Sequence, residues 1–430
     1  MRRARLTVLL LLLCAGASAQ NKFEIGANFM TRGELRNGGF AFVDEELEIP
    51  DDNFAGFILE RTRLTLDYAG ENLTANITGQ HCGTWGSREG GNFMIYEAWV
   101  KFDSKNGFFT KIGRQNLSYD DQRIFGADDW SMTGMTHDVL KAGYEGHGHK
   151  VHIFGAYNQN LENIDGGTFF SGGLQPYKAM EALWYHFDFP SFPLGASLLL
   201  MNVDLQGGDR RVDETTFHEQ IYGSFLSFQP KNWALEAAYY REAGKEEHGL
   251  PINAWMASGK VTWKPSQSFQ LYGGYDFLSG DKYFAVPPEG RFGMVHHDVI
   301  RGFSSLYGSN HKFYGAMDFF YVTTYVRGFT PGLQNAYIGT GWKPGKNLSL
   351  DLSYHFLAIA TTLDNVKKPL GHEVEFSASY SFRPDTKLSM GFSFMKGTDT
   401  MAYLKRSFGD NRLEWAWAML TVSPKFLSGE

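Results

Sequence analysis

Side chains that alternate between apolar and polar at every second residue constrain this chain more than any other feature. Leu348, Leu350 and Leu352, for example, alternate with Ser349 and Asp351. Successive side chains of a β-strand point to opposite faces of a sheet, so this period of two predicts strands with one apolar and one polar face. The pattern returns along the chain in segments of about ten residues, the length of a tilted strand that crosses a membrane.

The connections between these segments are short and long in turn. Short polar turns are predicted at 69–72, 103–107, 145–150, 188–193, 229–232, 264–268, 344–347 and 383–386. Longer stretches between them include 37–55, 117–136, 158–175 and 358–370. Bacterial outer-membrane barrels have short periplasmic turns and long extracellular loops. The sequence therefore predicts an all-β fold, a transmembrane antiparallel β-barrel with that arrangement of turns and loops.

The strand count depends on one ambiguous stretch. Nineteen segments have the strand pattern, whereas single-chain bacterial barrels have an even number of strands. The short and long connections fall out of phase between Ser279 and Pro331, so Phe313–Val322 is assigned to a long loop at 279–330 that folds partly into the lumen. About eighteen strands remain, and twenty is the alternative if a second strand lies in the same stretch.

The first residues predict export. Arg2, Arg3 and Arg5 precede an apolar run of roughly a dozen residues, and Ala17-Ser18-Ala19 follows it. This is the pattern of a secretory signal peptide with a cleavage site after residue 19. Since no linker-like segment divides the rest, we expect residues 20–430 to form a single barrel domain in the bacterial outer membrane.

Charge and composition exclude several classes of function. The formal charge is −7, and a protein that binds nucleic acid would be expected to present a basic surface. With 67 Phe, Tyr and Trp residues and 49 Gly against 14 Pro, the composition fits strands that are apolar on one side only. No catalytic residue, metal site or cofactor is predicted. The expected partners are outer-membrane lipid and lipopolysaccharide, the barrel-assembly machinery and a solute.

One motif resembles a known family. Residues 113–126 read GRQNLSYDDQRIFG, which is similar to the alginate-export family of outer-membrane porins, where a strand that ends in Gly-Arg-Gln leads into a Tyr-Gly-Asp-x-Arg loop. Residues 306–315 also resemble a loop of that family. Asp120 replaces a frequent glycine, and His137 replaces a frequent phenylalanine. The resemblance implies an eighteen-stranded barrel with a lumen rich in arginine and lysine that passes an acidic polysaccharide.

The candidate solute path follows from the period of two. A polyuronate carries one carboxylate per sugar, so a path for it needs cationic donors that bind weakly enough to release it. The predicted inward bases are Arg61, Arg63, Lys101, Lys111, Lys141 and Lys260. Arg114 and Arg123 are predicted near the outer rim, and Gln115, Tyr119 and Asp121 are the other candidate contacts with the solute.

The sequence predicts a passive, non-enzymatic porin with a basic lumen for an anionic or uronic-acid oligosaccharide or polysaccharide. Three alternatives remain open. In the first, the basic residues brace the barrel wall by pairing with acids of the lumen, namely Asp67, Glu97, Glu145 and Glu375. In the second, a catalytic site lies at the rim and consists of Asp128, Asp129, His137 and Asp138. In the third, the barrel is structural and its loops bind a partner.

Overall fold

A computed structural model gives the fold of this chain. It describes residues 21–37, 54–159, 162, 167, 170, 172–208, 214–281, 298–320, 330–363, 366–405 and 412–429. The predicted signal peptide, 1–19, lies outside the described residues, as do two parts of the predicted 279–330 loop.

The strands follow one another around a closed ring. They are β1 (Lys22–Arg36), β2 (Ala55–Ala69), β3 (Leu73–Thr84), β4 (Asn92–Asp103), β5 (Phe108–Gln115), β6 (His137–Gly146), β7 (His149–Tyr157), β8 (Ala179–Asp188), β9 (Leu194–Gln206), β10 (Thr216–Phe228), β11 (Trp233–Lys245), β12 (Pro251–Ser266), β13 (Phe269–Leu278), β14 (Leu333–Trp342), β15 (Leu348–Ala358), β16 (Pro369–Arg383), β17 (Thr386–Gly397), β18 (Arg412–Val422) and β19 (Lys425–Gly429). A short helix, α1 (Asp399–Lys405), precedes β18. Each strand pairs antiparallel with the next, and β1 closes the ring.

The closing strand is divided in two. Both β18 and β19 pair antiparallel with β1, with Phe29 opposite Val422 and Gly26 opposite Lys425. Pro424 lies between the two halves and lacks the N–H that a ladder hydrogen bond needs. Counting β18 and β19 as one interrupted strand gives a closed antiparallel barrel of eighteen strands, which confirms the predicted fold class and the lower of the two strand counts.

Side-chain exposure follows the predicted alternation. On β16, Val374 and Phe376 are each 41% exposed on the outer face, whereas Glu373 is 1% exposed in the interior. The same contrast separates Leu352 from Ser353 on β15. The apolar faces thus form the outer surface of the barrel, and the polar faces line its lumen.

All eight predicted short turns join consecutive strands at one end of the barrel, from β2–β3 to β16–β17. The connections at the other end are longer, except between β11 and β12, where residues 246–250 form a compact turn. Within the described residues, no helix is long and apolar enough to span a membrane.

Two of the long loops fold inward. We call residues 116–136, between β5 and β6, loop A, and residues 298–320, between β13 and β14, loop B. Phe125 of loop A and Tyr307 of loop B stack with their ring centroids 5.8 Å apart, and both are almost fully buried. Residues 313–320 form no strand. The buried apolar cluster of the protein therefore lies inside the barrel, between these loops and the wall.

Candidate functional site

Loop A is held against β1 and β2 by arginines. Arg32 Nη1 donates to the Trp130 carbonyl oxygen at 2.8 Å. Arg61 Nη1 donates to the carbonyl oxygens of Asp129 and Ser131 at 3.2 and 3.3 Å. These guanidinium groups are buried and their planar forks already have acceptors from the loop. Arg61 faces inward as predicted, but its contacts position loop A.

Arg63 extends the same arrangement. Its Nη1 lies 3.0 Å from Asp129 Oδ1, and its Nε donates to Gln80 Oε1 at 2.6 Å. The guanidinium carbon lies 3.6 Å from the centroid of the Tyr96 ring, a cation–π contact. Arg63 thus also points into the lumen, with its charge paired to loop A.

Asp120 attaches loop A to the opposite wall. Its carboxylate accepts hydrogen bonds from Ser197 Oγ of β9 at 2.5 Å and Trp184 Nε1 of β8 at 3.1 Å. Burial raises the pKa of Asp120 above its ordinary value, and the two hydrogen bonds partly offset that shift. Its φ of 52° lies in the left-handed region, which aspartate tolerates better than most residues.

Arg123 joins both loops to the wall. It is buried, and its guanidinium donates to Asp121 at 2.8 Å, to Asp276 of β13 at 2.7 Å and to the Tyr314 hydroxyl of loop B at 2.7 Å. The Phe313 ring centroid lies 4.0 Å from the guanidinium carbon. Arg123 was predicted near the rim, but it lies inside the barrel at the junction of loops A and B.

Loop B is held by glutamate side chains of the barrel wall on either side of it. Glu375 accepts the backbone N–H of Ala316 at 2.6 Å, and Glu373 accepts that of Met317 at 2.9 Å. Both glutamates lie on β16. Glu242 of β11 similarly accepts a backbone N–H from loop B at 3.1 Å. These hydrogen bonds satisfy backbone N–H groups that loop B buries inside the barrel, so this acidic wall fixes the course of loop B.

The lysines of β4, β5 and β6 form a row on the inward face. Lys101 pairs in register with Lys111, and Lys111 with Lys141. Like charges directly opposite each other destabilise a sheet. Lys101 has a carboxylate neighbour, Asp103, at 2.6 Å, whereas Lys111 Nζ lies over the Trp99 ring, 3.5 Å from its centroid.

Within the described chain, Lys111 and Lys141 form no ion pair. We call Lys101, Lys111 and Lys141 the lysine row. The three lysines are only a few residues from short turns, so the row lies closer than loop A to the end of the barrel that carries the short turns.

A cavity of about 570 Å³ lies against the other wall, beneath the two loops. Its lining includes Lys260, Lys312, Asp351, Tyr272 and Glu236, so both charges are present. Lys260 faces inward as predicted, with Nζ 5.3 Å from the centroid of the Tyr272 ring. Burial lowers the pKa of Lys312 below that of an ordinary lysine.

Arg114 does not line the lumen. It alternates with the buried Gln115 and shares the outer side of β5 with the exposed Ile112. Its guanidinium binds Asp138 through two hydrogen bonds of 2.8 Å, and it also donates to the Ile95 carbonyl oxygen. The loop-end position is as predicted, but strand alternation turns the side chain outward, so its inclusion in a solute path through the lumen needs correction.

Gln115 and Tyr119 are buried in contacts with the wall. The Gln115 amide donates to the carbonyl oxygens of Gly113 and Val139, each at 3.2 Å. Tyr119 stacks on Phe154 with an interplanar angle of 4°. Neither side chain is presented to the lumen, because both fix the start of loop A.

The predicted bracing acids have other partners. Asp67 accepts a hydrogen bond from Asn76, Glu97 from the backbone N–H of Asn116, and Glu145 contacts His152. Glu375, as described above, holds loop B. Among the described residues, therefore, none of these four acids forms an ion pair with a predicted lumen base.

The residues considered for a rim catalytic site are dispersed. His137 is buried and bonds the Tyr177 hydroxyl at 3.0 Å. Asp138 points outward to Arg114, and Asp129 pairs with Arg63. No group of three or more His, Cys, Asp or Glu in the described chain is arranged to hold a metal ion.

Several important interior residues were not singled out from the sequence. Arg32 follows the same alternation as Arg61, so the period of two was a sufficient signal for it. Asp276 and Tyr314, the partners of Arg123, had no comparable signal, since their contact joins residues 153 and 191 positions from Arg123.

The fold has clear counterparts among solved structures. Pseudomonas aeruginosa OccK2 (OpdF) superposes with a TM-score of 0.62 at 12% sequence identity, covering 94% of this chain and 98% of that one. OccK2 in complex with glucuronate gives 0.61 at 13% identity, covering 94% and 97%. A BenF-like porin from Pseudomonas fluorescens Pf-5 gives 0.60 at 13% identity, covering 94% and 99%.

The fold is thus that of the eighteen-stranded outer-membrane porins of the Occ/OprD type. No protein-family model matches the sequence, and no match is found among curated protein sequences. The comparisons therefore define the fold and its class, and they leave the alginate-export resemblance as a prediction.

Proposed function

We propose that this chain is a passive channel of the bacterial outer membrane for small anionic solutes of the uronic-acid class. The apolar outer face meets lipid, and the polar interior conducts. The proposal includes export by the signal peptide at 1–19 and insertion by the barrel-assembly machinery. It assigns no catalytic step to any residue, in keeping with the solved structures of the same fold, which are porins.

The lysine row is the observation that carries this proposal. Three like charges placed side by side cost stability, and ion pairing within the described chain neutralises only Lys101. A row of ammonium groups on the lumen wall attracts carboxylates and releases them, because each contact is weak and replaceable. The Trp99 ring, which Lys111 Nζ covers at 3.5 Å from its centroid, holds this ammonium group in place without neutralising its charge.

Loops A and B favour a small solute. They meet inside the barrel through Trp130 and His311, whose rings stack with centroids 4.0 Å apart. Monomers and short oligomers of a uronic acid fit this interior better than a long polysaccharide does. The glucuronate complex of OccK2, which has the same fold, supports the same solute class.

Conductance measurements on the purified protein in planar bilayers test the proposal. We expect discrete channels with anion selectivity, and block by glucuronate at lower concentration than by glucose. Alginate oligomers of increasing length provide the second series, in which block without passage is expected for the longer members. Cation selectivity, or equal block by the acidic and neutral sugars, would refute the proposed solute class.

A further inference from the structure

A small cavity opens on the outer face of the barrel, at the long-loop end of β11 and β12. Its volume is about 300 Å³. Arg241 and Trp255 lie on the outward side of their strands, in alternation with the buried Glu242 and Ala254. We call this space, which lies outside the lumen, the arginine cavity. Six residues line it: Arg241, Asn253, Trp255, Ser279, Gly280 and Arg301.

Loop B supplies the second arginine. Above the end of β13, loop B pairs with the edge of β12. The Ile300 N–H donates to the Pro251 carbonyl oxygen, and the Ile300 carbonyl oxygen accepts the Asn253 N–H, each at 2.8 Å. Arg301 is the next residue along the chain. The backbone pairing thus brings Arg301 to the same cavity as Arg241, although the two residues lie on different segments.

The charges of the two arginines are not compensated within the described residues. Arg241 Nη2 donates to Asn253 Oδ1 at 2.9 Å, and Arg301 Nη1 donates to the Val299 carbonyl oxygen at 3.3 Å. Both acceptors are neutral, so these hydrogen bonds orient the guanidinium groups and leave their charges in place. The Asp281 carboxylate accepts the backbone N–H of Arg301 at 2.7 Å, but it forms no ion pair with either guanidinium group.

The other polar groups of the lining add donors. Because Asn253 Oδ1 accepts from Arg241, the Asn253 amide directs its Nδ2 group elsewhere. In the part of the chain that the structure describes, neither this group nor Trp255 Nε1 has an acceptor within hydrogen-bond distance. The Ser279 hydroxyl donates to the Arg301 carbonyl oxygen at 2.7 Å. The arginine cavity therefore offers two positive charges and spare N–H donors, a combination that suits an anion with several oxygens.

A phosphate monoester matches this combination best. It carries a charge of about −1.5 to −2 at neutral pH and three acceptor oxygens. Two guanidinium groups supply the opposite charge, and their planar forks donate to pairs of phosphate oxygens. A single carboxylate would leave one of the two arginines without a counter-charge.

The height of the arginine cavity points to a lipid as the source of the phosphate. Arg241 lies one outward position farther from the short turns than Tyr239. The Tyr239 ring stacks on Trp255, and Trp255 stacks on Phe277, with centroid distances of 6.2 and 4.7 Å. Aromatic side chains of this kind mark the membrane–water interface, and the long loops are extracellular. The cavity therefore lies at the level of the headgroups of the outer leaflet.

We propose that the arginine cavity binds a phosphate group of lipopolysaccharide, the lipid of the outer leaflet. Arg241 and Arg301 hold the phosphate, and the acyl chains extend along the aromatic row and the apolar outer face beneath it. The bound lipid joins loop B to β11 from outside the barrel. This site depends on the barrel being in the outer membrane and is independent of the solute that the channel passes.

Native mass spectrometry of the delipidated protein in detergent tests the site. The probe is lipid A, the acylated glucosamine disaccharide of lipopolysaccharide, with both of its phosphates or with neither. The wild type is expected to bind the phosphorylated form at least about tenfold more tightly, because the guanidinium groups pair with phosphate only in that form. Equal binding of the two forms by the wild type overturns the proposal.

Variants identify the residues responsible for this preference. The double variant Arg241→Gln, Arg301→Gln is expected to lose it. The matched control is Arg114→Gln, which alters another outward arginine that is already paired with Asp138 and is expected to keep the preference. Lysine at both positions retains the charges without the planar forks, so an intermediate preference is expected. An undiminished preference in the double glutamine variant overturns the proposal.

Inorganic phosphate distinguishes the lipid from a free anion. An excess of inorganic phosphate is expected to leave most of the lipid A bound, because the acyl chains add contacts with the outer face. Complete displacement by an equal concentration of phosphate would assign the site to the free anion and overturn the lipid assignment. Heat-modifiable gel migration verifies that each variant is folded. Unchanged anion selectivity of the double glutamine variant separates this result from the test of the solute path.

Discussion

Two regions of the lumen wall carry ionisable side chains and differ in what those side chains contact. On β11 and β16, Glu242, Glu373 and Glu375 accept backbone N–H groups of loop B. On β4 to β6, the lysine row binds neither loop through any hydrogen bond within the described residues. The acidic wall is thus occupied by the protein's own backbone, whereas the basic row remains available to a solute.

Because of this contrast, a basic residue on the lumen face does not by itself indicate a solute path. Arg61, Arg63 and Arg123 have the charge expected of a solute path, yet loop A or loop B supplies their acceptors. An inward base is therefore a candidate for solute binding only after the contacts of the loops are known. The lysine row satisfies that condition, and the arginines do not.

The largest expected effect is that of Arg123→Leu. This substitution leaves Asp121 and Asp276 without their buried cation and removes one of the links between loops A and B, the hydrogen bond from Arg123 to Tyr314. Breaking a buried pair by removing one partner typically costs about 3–5 kcal/mol. We expect a comparable loss in the free energy of unfolding in detergent and a several-fold rise in single-channel conductance. Arg123→Lys is the milder control. An unchanged conductance in Arg123→Leu would mean that loops A and B do not form the narrowest part of the channel.

Glu373→Gln tests the acidic wall with a smaller change. The amide oxygen still accepts the Met317 N–H, but an amide nitrogen replaces one carboxyl oxygen beside Glu375 and disturbs the contacts between the two side chains. A difference of about 1 kcal/mol in the free energy of unfolding is expected. Loop B then moves more freely, so we expect noisier open-channel current. Ser377→Ala, on the same strand, is the control that leaves the contacts of Glu373 and Glu375 with loop B intact.

A pH series on the wild type and on Lys312→Arg tests what Lys312 of the cavity contributes to anion preference. Because burial lowers the pKa of Lys312, its ammonium loses the proton at a lower pH than an exposed lysine does. Anion preference is therefore expected to fall modestly as pH rises through the range just below the ordinary lysine value of about 10.4. Lys312→Arg keeps its charge and flattens this part of the curve. If Lys312→Arg still loses its anion preference steeply over this pH range, groups other than Lys312 cause the loss.

Arg114→Gln is expected to have the smallest effect. Its guanidinium lies outside the lumen, paired with Asp138, so the permeability ratio of anions to cations stays that of the wild type. Reversal potentials in a salt gradient measure this ratio. A clear loss of anion preference in Arg114→Gln would mean that solute passes along the rim at β5.

Much of the fold was predictable because the side chains of each strand alternate between two environments, lipid on one face and the lumen on the other. The alternation on β15 and β16 identifies which side meets lipid, and the turns at 69–72 and 383–386 mark the same end of the barrel. Within the described residues, the division of the last strand at Pro424 and the short helix α1 were not predicted. These are local signals, and each is complete within about ten residues.

The interior was predictable only in part, because its contacts join distant segments. The period of two places Lys111 and Arg61 on the inner face, but it does not reveal that loop A returns to cover Arg61. Arg114 shows the same limit at a strand end, where one residue of alternation decides between lumen and outer surface. Contacts such as Arg123 with Asp276 depend on where two loops fold, and neither loop has a periodic pattern.

The most direct test of this account is the reversal potential of a variant with Lys101, Lys111 and Lys141 all changed to glutamate. Substitution of Arg61 and Arg63 by glutamine, which removes two positive charges already paired to loop A, is the control, and a Lys101, Lys111 and Lys141 triple glutamine variant gives the comparison at a similar change of charge. We predict that the triple glutamate variant changes from anion to cation selectivity while the control keeps most of its anion preference. A triple glutamate variant that folds, conducts and remains as anion-selective as the wild type would contradict the central role of the lysine row.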